Sequence, residues 1–187
     1  FWLVRLCNCL GYCYSEIHNP RQAWKWNVRS EEVARKLMSQ YPMGRQMAAE
    51  VAAQASVNLM ENLFDQGNPD GAWDRIKFFE TESRSDDFAR LRDLWFARMD
   101  YLASQILLQR GNVSQAEPII TKNLEKSRRE HLRKNEGRFL RLLGEVQMKR
   151  NESDNAIGSL NEAILILRDV GNPRQLWETH ASLASAY

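Results

Sequence analysis

The sequence predicts an all-α protein: a right-handed superhelical solenoid of antiparallel helix pairs, with about nine helices in 187 residues. Two observations lead to this prediction, a spacing of small residues that recurs along the chain and the helical periodicity of the apolar residues within each copy. The composition agrees, because 43% of the residues are apolar, 27% are charged, and only 9 are Gly and 5 are Pro. These values are typical of a folded helical protein and argue against a disordered chain or a turn-rich β protein.

The repeat is marked by four alanines, which follow one another at intervals of 49, 44 and 40 residues. A fifth copy begins at Leu183 and stops at Tyr187, where the sequence ends. Intervals of about 20 to 50 residues are typical of solenoids, in which each repeat buries its apolar face against the next. The alanines are Ala23, Ala72, Ala116 and Ala156, and the positions twelve residues before them are Gly11, Met60, Ser104 and Gly144.

Each repeat is predicted to form two helices. In the last complete copy, apolar residues recur at helical spacing over residues 139–148 and again over residues 156–167, with a polar segment between them. The junctions carry Asn-Pro or Gly-Asn, in which Gly ends one helix, Asn caps the next and Pro fits its first turn. We therefore divide the chain into one array of repeats, at residues 1–42, 43–84, 85–134, 135–171 and, truncated, 172–187.

One similarity leaves open which helices are inner and which are outer. The segments His18-Asn-Pro-Arg-Gln-Ala-Trp24 and Gly171-Asn-Pro-Arg-Gln-Leu-Trp177 nearly match, although one lies within a repeat and the other between two repeats. We interpret them as the same helix-start chemistry used twice. If they marked the repeat instead, the inner and outer helices would exchange.

These residues resemble the signature of the tetratricopeptide repeat family, in which a bulky residue, Leu-Gly and Tyr in the first helix are followed by small residues in the second. The repeats are longer than the usual length of about 34 residues, and in this they resemble repeats of bacterial multidomain signalling proteins. The resemblance implies a concave groove that binds a peptide or protein segment, in a fragment of a larger signalling or regulatory protein. The first repeat matches at Cys7, Leu10, Gly11, Tyr14, Ala23 and Ser30, and the fourth at Leu140, Leu143, Gly144, Ala156, Leu160 and Ala163.

Catalytic and metal-binding patterns are absent from the sequence. There is no Gly-x-Ser-x-Gly elbow, no phosphate-binding Gly-rich loop and no His-Glu-x-x-His. Cys7, Cys9 and Cys13 lie close together but without Cys-x-x-Cys spacing, so we interpret them as free thiols of a reducing compartment. We therefore predict that the chain is not an enzyme and uses no cofactor or metal.

Positive charge is concentrated in one part of the chain. The formal net charge is +2, yet residues 122–150 contain ten basic and four acidic residues. An acidic protein segment, a nucleic acid or an ordinary solvated face would each account for this. Phe139 is the one aromatic residue of the segment, which provides little for base stacking and argues against nucleic acid. The predicted partner is thus a protein or peptide, with acidic character favoured.

The predicted binding groove is lined by one stripe of the first helix in each repeat, on the side away from the Leu-Gly-Tyr contact. Aromatic, amide and arginine side chains together suit the recognition of an extended peptide. Ordinary surface or internal packing is the alternative for each of them. The predicted groove residues are Asn8, Tyr12, Asn58, Glu61, Arg98, Tyr101, Gln105, Arg138, Arg141 and Glu145.

The sequence favours a cytoplasmic protein without membrane association. No stretch approaches about 18 uninterrupted apolar residues, because Arg5 and Asn8 interrupt the apolar start of the chain. An apolar edge with Leu183 and Tyr187 at the truncated repeat would permit self-association. The alternative to a peptide-binding scaffold is a small-molecule sensor module of a multidomain bacterial regulator, which the second resemblance also allows.

Overall fold

The computed structural model describes residues 2–84, 86–89 and 92–187. These ranges are helical and contain no strand, which confirms the all-α class. Nine helices with at least 14 residues and one of a single turn lie in them. The helices are α1 (Trp2–Glu16), α2 (Pro20–Gln40), α3 (Arg45–Asp65), α4 (Pro69–Glu82), α5 (Asp86–Ala89), α6 (Arg92–Gln109), α7 (Val113–Arg129), α8 (Arg133–Lys149), α9 (Ser153–Val170) and α10 (Pro173–Ala186), and a 3-10 turn covers Pro42–Gly44.

The chain divides into two compact units, unit 1 (Phe1–Met99) and unit 2 (Asp100–Tyr187). In unit 1, α2 packs against both α1 and α3, and α3 also contacts α1 and α4. In unit 2, each helix from α7 to α10 packs against the next, and α8 also contacts α10. The division into five repeats stays a prediction, and residue 85, where the third was placed to begin, lies outside the described residues.

The junctions between helices follow from their Asn, Pro and Gly residues. Asn19, Asn68 and Asn172 each accept a hydrogen bond from a backbone N–H of the helix that follows, and Pro occupies its first turn. This caps a donor that the helix itself leaves unpaired. Gly67 and Gly171 have φ of 76° and 71°, the left-handed conformation that ends a helix at low steric cost.

Small residues let paired helices approach closely. The four alanines that mark the repeat are fully buried, as the repeat pattern predicts. At Gly11 in α1, an added Cβ would lie 2.1 Å from Oδ1 of Asn27 in α2, and at Gly144 in α8 it would lie 2.6 Å from Cγ of Leu160 in α9. These separations leave no room for a methyl group, so the two glycines set the helix spacing.

A charged cluster joins α2, α3 and α4 in unit 1. Glu31 is half-buried, accepts a hydrogen bond from Ser56, and forms ion pairs with Arg35 at 3.1 Å and Arg75 at 2.8 Å. Arg35 also binds Glu82 of α4. Desolvation by burial would raise the pKa of Glu31, but the bond from Ser56 and the charges of Arg75 and Arg35 outweigh it and lower that pKa.

None of the helices in the described ranges is both long and apolar enough to cross a membrane. The C-terminal helix α10 leaves Tyr187 exposed and Leu183 half-buried at its end. Self-association through this edge stays a prediction.

Two glycines of unit 2 should respond in opposite ways to the same substitution. Gly144→Ala should lower the free energy of unfolding by about 1 to 2 kcal/mol, because overpacking against Leu160 exceeds the gain in helix propensity. Gly158→Ala should raise it by about 0.5 to 1 kcal/mol, since no atom lies within 4 Å of the added Cβ. Urea unfolding of both variants provides the measurement, and a Gly144→Ala protein as stable as Gly158→Ala would refute the close helix contact.

Acid should unfold unit 1 partly through Glu31. Because its folded-state pKa is lowered, its carboxylate stabilises the fold above its ordinary pKa of about 4.3, and this contribution is lost as pH falls through the lower folded value. Glu31→Gln should therefore lose less stability than wild type between neutral pH and pH of about 3, while being less stable by about 1 to 3 kcal/mol at neutral pH.

The matched control is Glu32→Gln, an exposed neighbour on the same helix. It should retain the wild-type free energy of unfolding at neutral pH within about 0.5 kcal/mol. Denaturant titrations at a series of pH values measure both effects. Equal acid dependence in wild type and Glu31→Gln would contradict the role given to Glu31.

Candidate functional site

Within unit 1, four of the predicted groove residues are joined by hydrogen bonds. Asn58 of α3 donates to Oδ1 of Asn8 in α1 at 2.9 Å and accepts from Arg98 of α6, also at 2.9 Å. Arg98 also forms a bidentate ion pair with Glu61, at 3.1 Å and 2.5 Å. Asn8 and Asn58 are buried, whereas Glu61 and Arg98 are half-buried. Three helices, α1, α3 and α6, are thus connected through side chains that the sequence predicts to lie on their groove-lining stripes.

The same cluster continues inward through residues that the sequence analysis did not select. Asn58 donates to Oδ1 of Asn27 at 3.2 Å, and Asn27 donates to Asn62 at 2.8 Å. Asn62 in turn donates to Oγ of Ser15 at 2.8 Å. A signal for Asn27 was present, because it lies four residues after Ala23 and hence on the face of α2 that meets Gly11.

Tyr12 is the most accessible of the predicted groove residues in unit 1, with 45% of its surface exposed. Partial burial raises the pKa of its hydroxyl, and the neighbouring Glu16 raises it further, while Arg98 acts in the opposite direction. The hydroxyl therefore stays protonated at neutral pH and can both donate and accept hydrogen bonds.

Unit 2 contains a second polar cluster, centred on Tyr101 of α6. Its hydroxyl donates to Oε1 of Gln175 in α10 at 2.7 Å and accepts a bond from Arg141 of α8. Arg141 forms ion pairs with Glu145 at 2.7 Å and with Glu178 of α10 at 3.2 Å. Arg141 is buried, with 7% of its side chain exposed, so these partners replace the water that it loses.

Burial would lower the pKa of Arg141, but Tyr101, Glu145 and Glu178 outweigh it and raise that pKa, so the guanidinium stays charged. The sequence analysis placed Arg141 in the groove as a residue that meets a ligand. Its burial makes it a residue that holds α6, α8 and α10 together. We therefore expect a substitution of Arg141 to lower the stability of the fold, whether or not it also affects ligand binding.

Arg138 has a different environment from Arg141, although it lies only one turn away. It is half-buried, and its Cζ lies 3.9 Å from the centre of the Tyr101 ring, which is a stacking distance. The cluster also has an apolar contact, because the rings of Phe139 and Tyr101 pack edge to face with 5.7 Å between their centres. Gln105, the remaining predicted groove residue of unit 2, is half-buried on α6.

The residues of α10 in this cluster were also missed. Gln175 and Glu178 are three residues apart and lie on one stripe with Ser182, which donates to Glu145 at 2.9 Å. This stripe could have been found from spacing alone. The sequence does not predict it as a groove stripe, because the last repeat is cut short and the Asn-Pro-Arg-Gln segment that contains Gln175 indicates only a helix start.

Much of the positive charge of residues 122–150 is balanced by carboxylates. Arg128 pairs with Glu136 and Glu162, at 3.4 Å and 2.9 Å, and Arg150 pairs with Glu117. Arg129 is more accessible, with 72% of its side chain exposed, and its contact with the neighbouring Glu130 is longer, at 3.7 Å. The arginines of the basic segment therefore differ in how far their ion pairs are exposed to solvent.

The three cysteines are free thiols. Cys7 is buried, whereas Cys9 and Cys13 are exposed on α1. Across the described ranges, no three His, Cys, Asp or Glu side chains come close enough together to hold a metal ion.

No protein-family model matches the chain, and a comparison with curated proteins found no match. The resemblance to tetratricopeptide repeats therefore still rests on the repeated residues.

Removal of the Asn58 side chain should destabilise unit 1. Asn58→Ala leaves the amide oxygens of Asn8 and Asn27 without a donor and takes an acceptor from Arg98, so the free energy of unfolding should fall by about 3 kcal/mol. Asn161→Ala, at an exposed position of α9, is the control and should change it by less than about 0.5 kcal/mol. Chemical denaturation of both proteins gives the comparison, and equal effects would mean that the asparagine cluster contributes nothing.

Proposed function

We propose that the chain is a protein–protein interaction scaffold that binds an extended peptide or protein segment. In this proposal the helix pairs continue into a right-handed solenoid of the tetratricopeptide type, with the first helix of each pair lining the concave side. Such a groove lets modest contacts from successive repeats add up along one ligand.

The observation that carries the proposal is the pattern of polar contacts between first helices within each unit. In unit 1, Asn8 of α1, Asn58 of α3 and Arg98 of α6 form one chain of hydrogen bonds. In unit 2, Tyr101 of α6 bonds to Arg141 of α8 and to α10. Side-by-side first helices are what a solenoid with an inner layer requires.

The clusters also suggest a division of roles among the predicted groove residues. Buried members such as Asn58 and Arg141 join neighbouring helices and fix their spacing. Tyr12, Gln105 and Arg138 keep exposed or half-buried side chains and so remain able to meet a ligand. Binding surfaces gain affinity when reachable side chains are held in place by a packed layer beneath them.

A non-catalytic role is part of this proposal. The sequence offers no nucleophile, base and orienting group at plausible spacing. Several ionisable groups of the two clusters instead pair with one another, as Arg98 does with Glu61 and Arg141 with Glu145. Paired groups of this kind position helices and shape a surface, which suits recognition.

Tyr12 provides a test of the groove in unit 1. Peptides selected from a random display library on the full chain should lose at least about tenfold in affinity when Tyr12 is changed to Ala, since truncation of an interface tyrosine is often that costly. Tyr41→Ala is the matched control, because Tyr41 lies at the end of α2 with 55% of its surface exposed. Fluorescence anisotropy with the selected, labelled peptide measures both affinities.

The same measurement extends to unit 2, with Gln105→Ala in the groove and Gln115→Ala on α7 as the exposed control. Losses confined to Tyr12→Ala and Gln105→Ala would support a groove on the first helices. A library that yields no binder, or selected peptides that respond equally to the control substitutions, would refute the proposed scaffold. Metabolites that raise the melting temperature while no peptide binds would favour the sensor module instead.

A further inference from the structure

Arg138 differs from the other arginines that the fold removes from solvent. Among the arginines whose burial the structure describes, six are buried or half-buried, and Arg138 is the one of these six without a carboxylate partner. Buried guanidinium groups are costly unless they are paired, so the five paired arginines follow the usual pattern. The six are Arg35, Arg75, Arg98, Arg138, Arg141 and Arg174.

The geometry of Arg138 leaves its hydrogen-bond donors unused. Its guanidinium stacks on the Tyr101 ring at 3.9 Å, a contact that occupies one flat face. All five donors of a guanidinium point outward in its plane, so stacking satisfies none of them. The Nε atom is buried and has no hydrogen-bond partner. A buried donor without a partner indicates a missing ligand, ion or water.

The ring beneath Arg138 is held in place. The Tyr101 hydroxyl bonds to Gln175 and Arg141, which fixes the ring and, through it, the plane of the stacked guanidinium. Arg141 also has a buried Nε without a partner, one turn away on the same helix. Oε2 of Glu178 is likewise buried without a hydrogen bond, but it lies 3.2 Å from Arg141 as an ion pair. The ring is therefore preorganised, and Arg138 is the arginine stacked on it that has no carboxylate partner.

The charge of the cluster points to an anion with a single charge. Arg141 pairs with both Glu145 and Glu178, whereas Arg138 stacks on the Tyr101 ring and pairs with neither. The single positive charge of Arg138 is thus the one that lacks a carboxylate counterpart. A phosphate, which carries nearly two charges, would be repelled by the two glutamates, whereas one carboxylate restores neutrality.

We propose that Arg138, stacked on Tyr101, binds the side-chain carboxylate of an aspartate or glutamate within an acidic protein segment. This inference rests on the proposed function and names the chemistry that the groove of unit 2 recognises. A planar carboxylate matches the guanidinium fork and forms two parallel charge-assisted bonds with it. The partner segment is thus acidic where it passes α8.

The probe is a labelled peptide in which Glu and Gly alternate, with an amidated C-terminus so that side chains supply its carboxylates. Its counterpart replaces each Glu by Gln. The full chain is titrated with both peptides by fluorescence anisotropy, as wild type, Arg138→Gln, Arg138→Lys and Arg129→Gln. Arg129→Gln makes the same charge change at an exposed position of unit 2 and is the matched control.

Wild type should bind the Glu peptide, with affinity falling as salt rises, and should bind the Gln peptide at least about tenfold more weakly. Arg138→Gln should weaken binding of the Glu peptide about tenfold, and Arg138→Lys should restore part of the loss, because it keeps the charge without the fork. Arg129→Gln should bind within about twofold of wild type, since exposed rim charges contribute little.

A second measurement works even if Arg138→Gln fails to fold. The Arg138 Nε–H resonance of the isotopically labelled wild-type protein, assigned with Arg138→Lys, should shift when the Glu peptide is added and stay in place with the Gln peptide. Free glutarate should compete only weakly with the peptide. Glutarate that binds as tightly as the Glu peptide would contradict a protein segment as the source of the carboxylate.

The proposal would also be overturned by the absence of binding to the Glu peptide, by equal weakening in Arg129→Gln and Arg138→Gln, or by an Arg138 resonance that does not shift when the Glu peptide is added. Failure of the carboxylate proposal can be distinguished from failure of the proposed scaffold function. Peptides selected by display that depend on Tyr12 but contain no acidic residue would leave the scaffold standing while refuting the carboxylate site.

Discussion

The close approach of α1 and α2 at Gly11 is the contact on which the polar cluster of unit 1 depends. Since Gly11 has no side chain, the amide of Asn27 fits against the backbone of α1, where an added Cβ would lie 2.1 Å from its oxygen. From that position Asn27 bonds to Asn58 and Asn62. Each amide both donates and accepts, so the loss of one member leaves several buried groups unpaired.

The sequence allowed prediction of the all-α class and of the buried alanines, because both depend on local periodicity and on residue size. Gly144 lies against Leu160 of the paired helix α9, where its small size allows the close contact. Periodicity does not say how far a stripe is buried. Asn8 and Tyr12 lie on the same face of α1, yet Asn8 is buried against Asn58 while Tyr12 remains accessible. The difference arises from α3, which covers Asn8. The sequence around Asn8 and Tyr12 does not show how close α3 comes to each of them.

Arg138 and Arg141 also show that periodicity predicts a shared stripe but not the environment of each residue on it. Their spacing predicts one stripe, and both lie within reach of the Tyr101 ring, at 3.9 Å and 5.7 Å from its centre. What separates them is α10, which provides Glu178 to Arg141 and leaves Arg138 with the ring alone. Such pairings come from residues roughly 40 positions apart in sequence, and a single sequence carries no local signal for them.

In both clusters polar side chains connect neighbouring helices, but the two clusters differ in whether their outermost arginine has a carboxylate partner. In unit 1 the terminal guanidinium, Arg98, reaches a carboxylate of the chain itself, Glu61, so its charge is compensated within the fold. In unit 2 the cluster ends on Arg138, whose stacking on Tyr101 orients it without satisfying its donors. Among the buried and half-buried arginines whose burial is described, the other five are paired with carboxylates. Leaving Arg138 unpaired adds no stability, because an unsatisfied cation costs free energy. A carboxylate from a ligand would remove that cost, and this is the reason for proposing Arg138 as a binding residue.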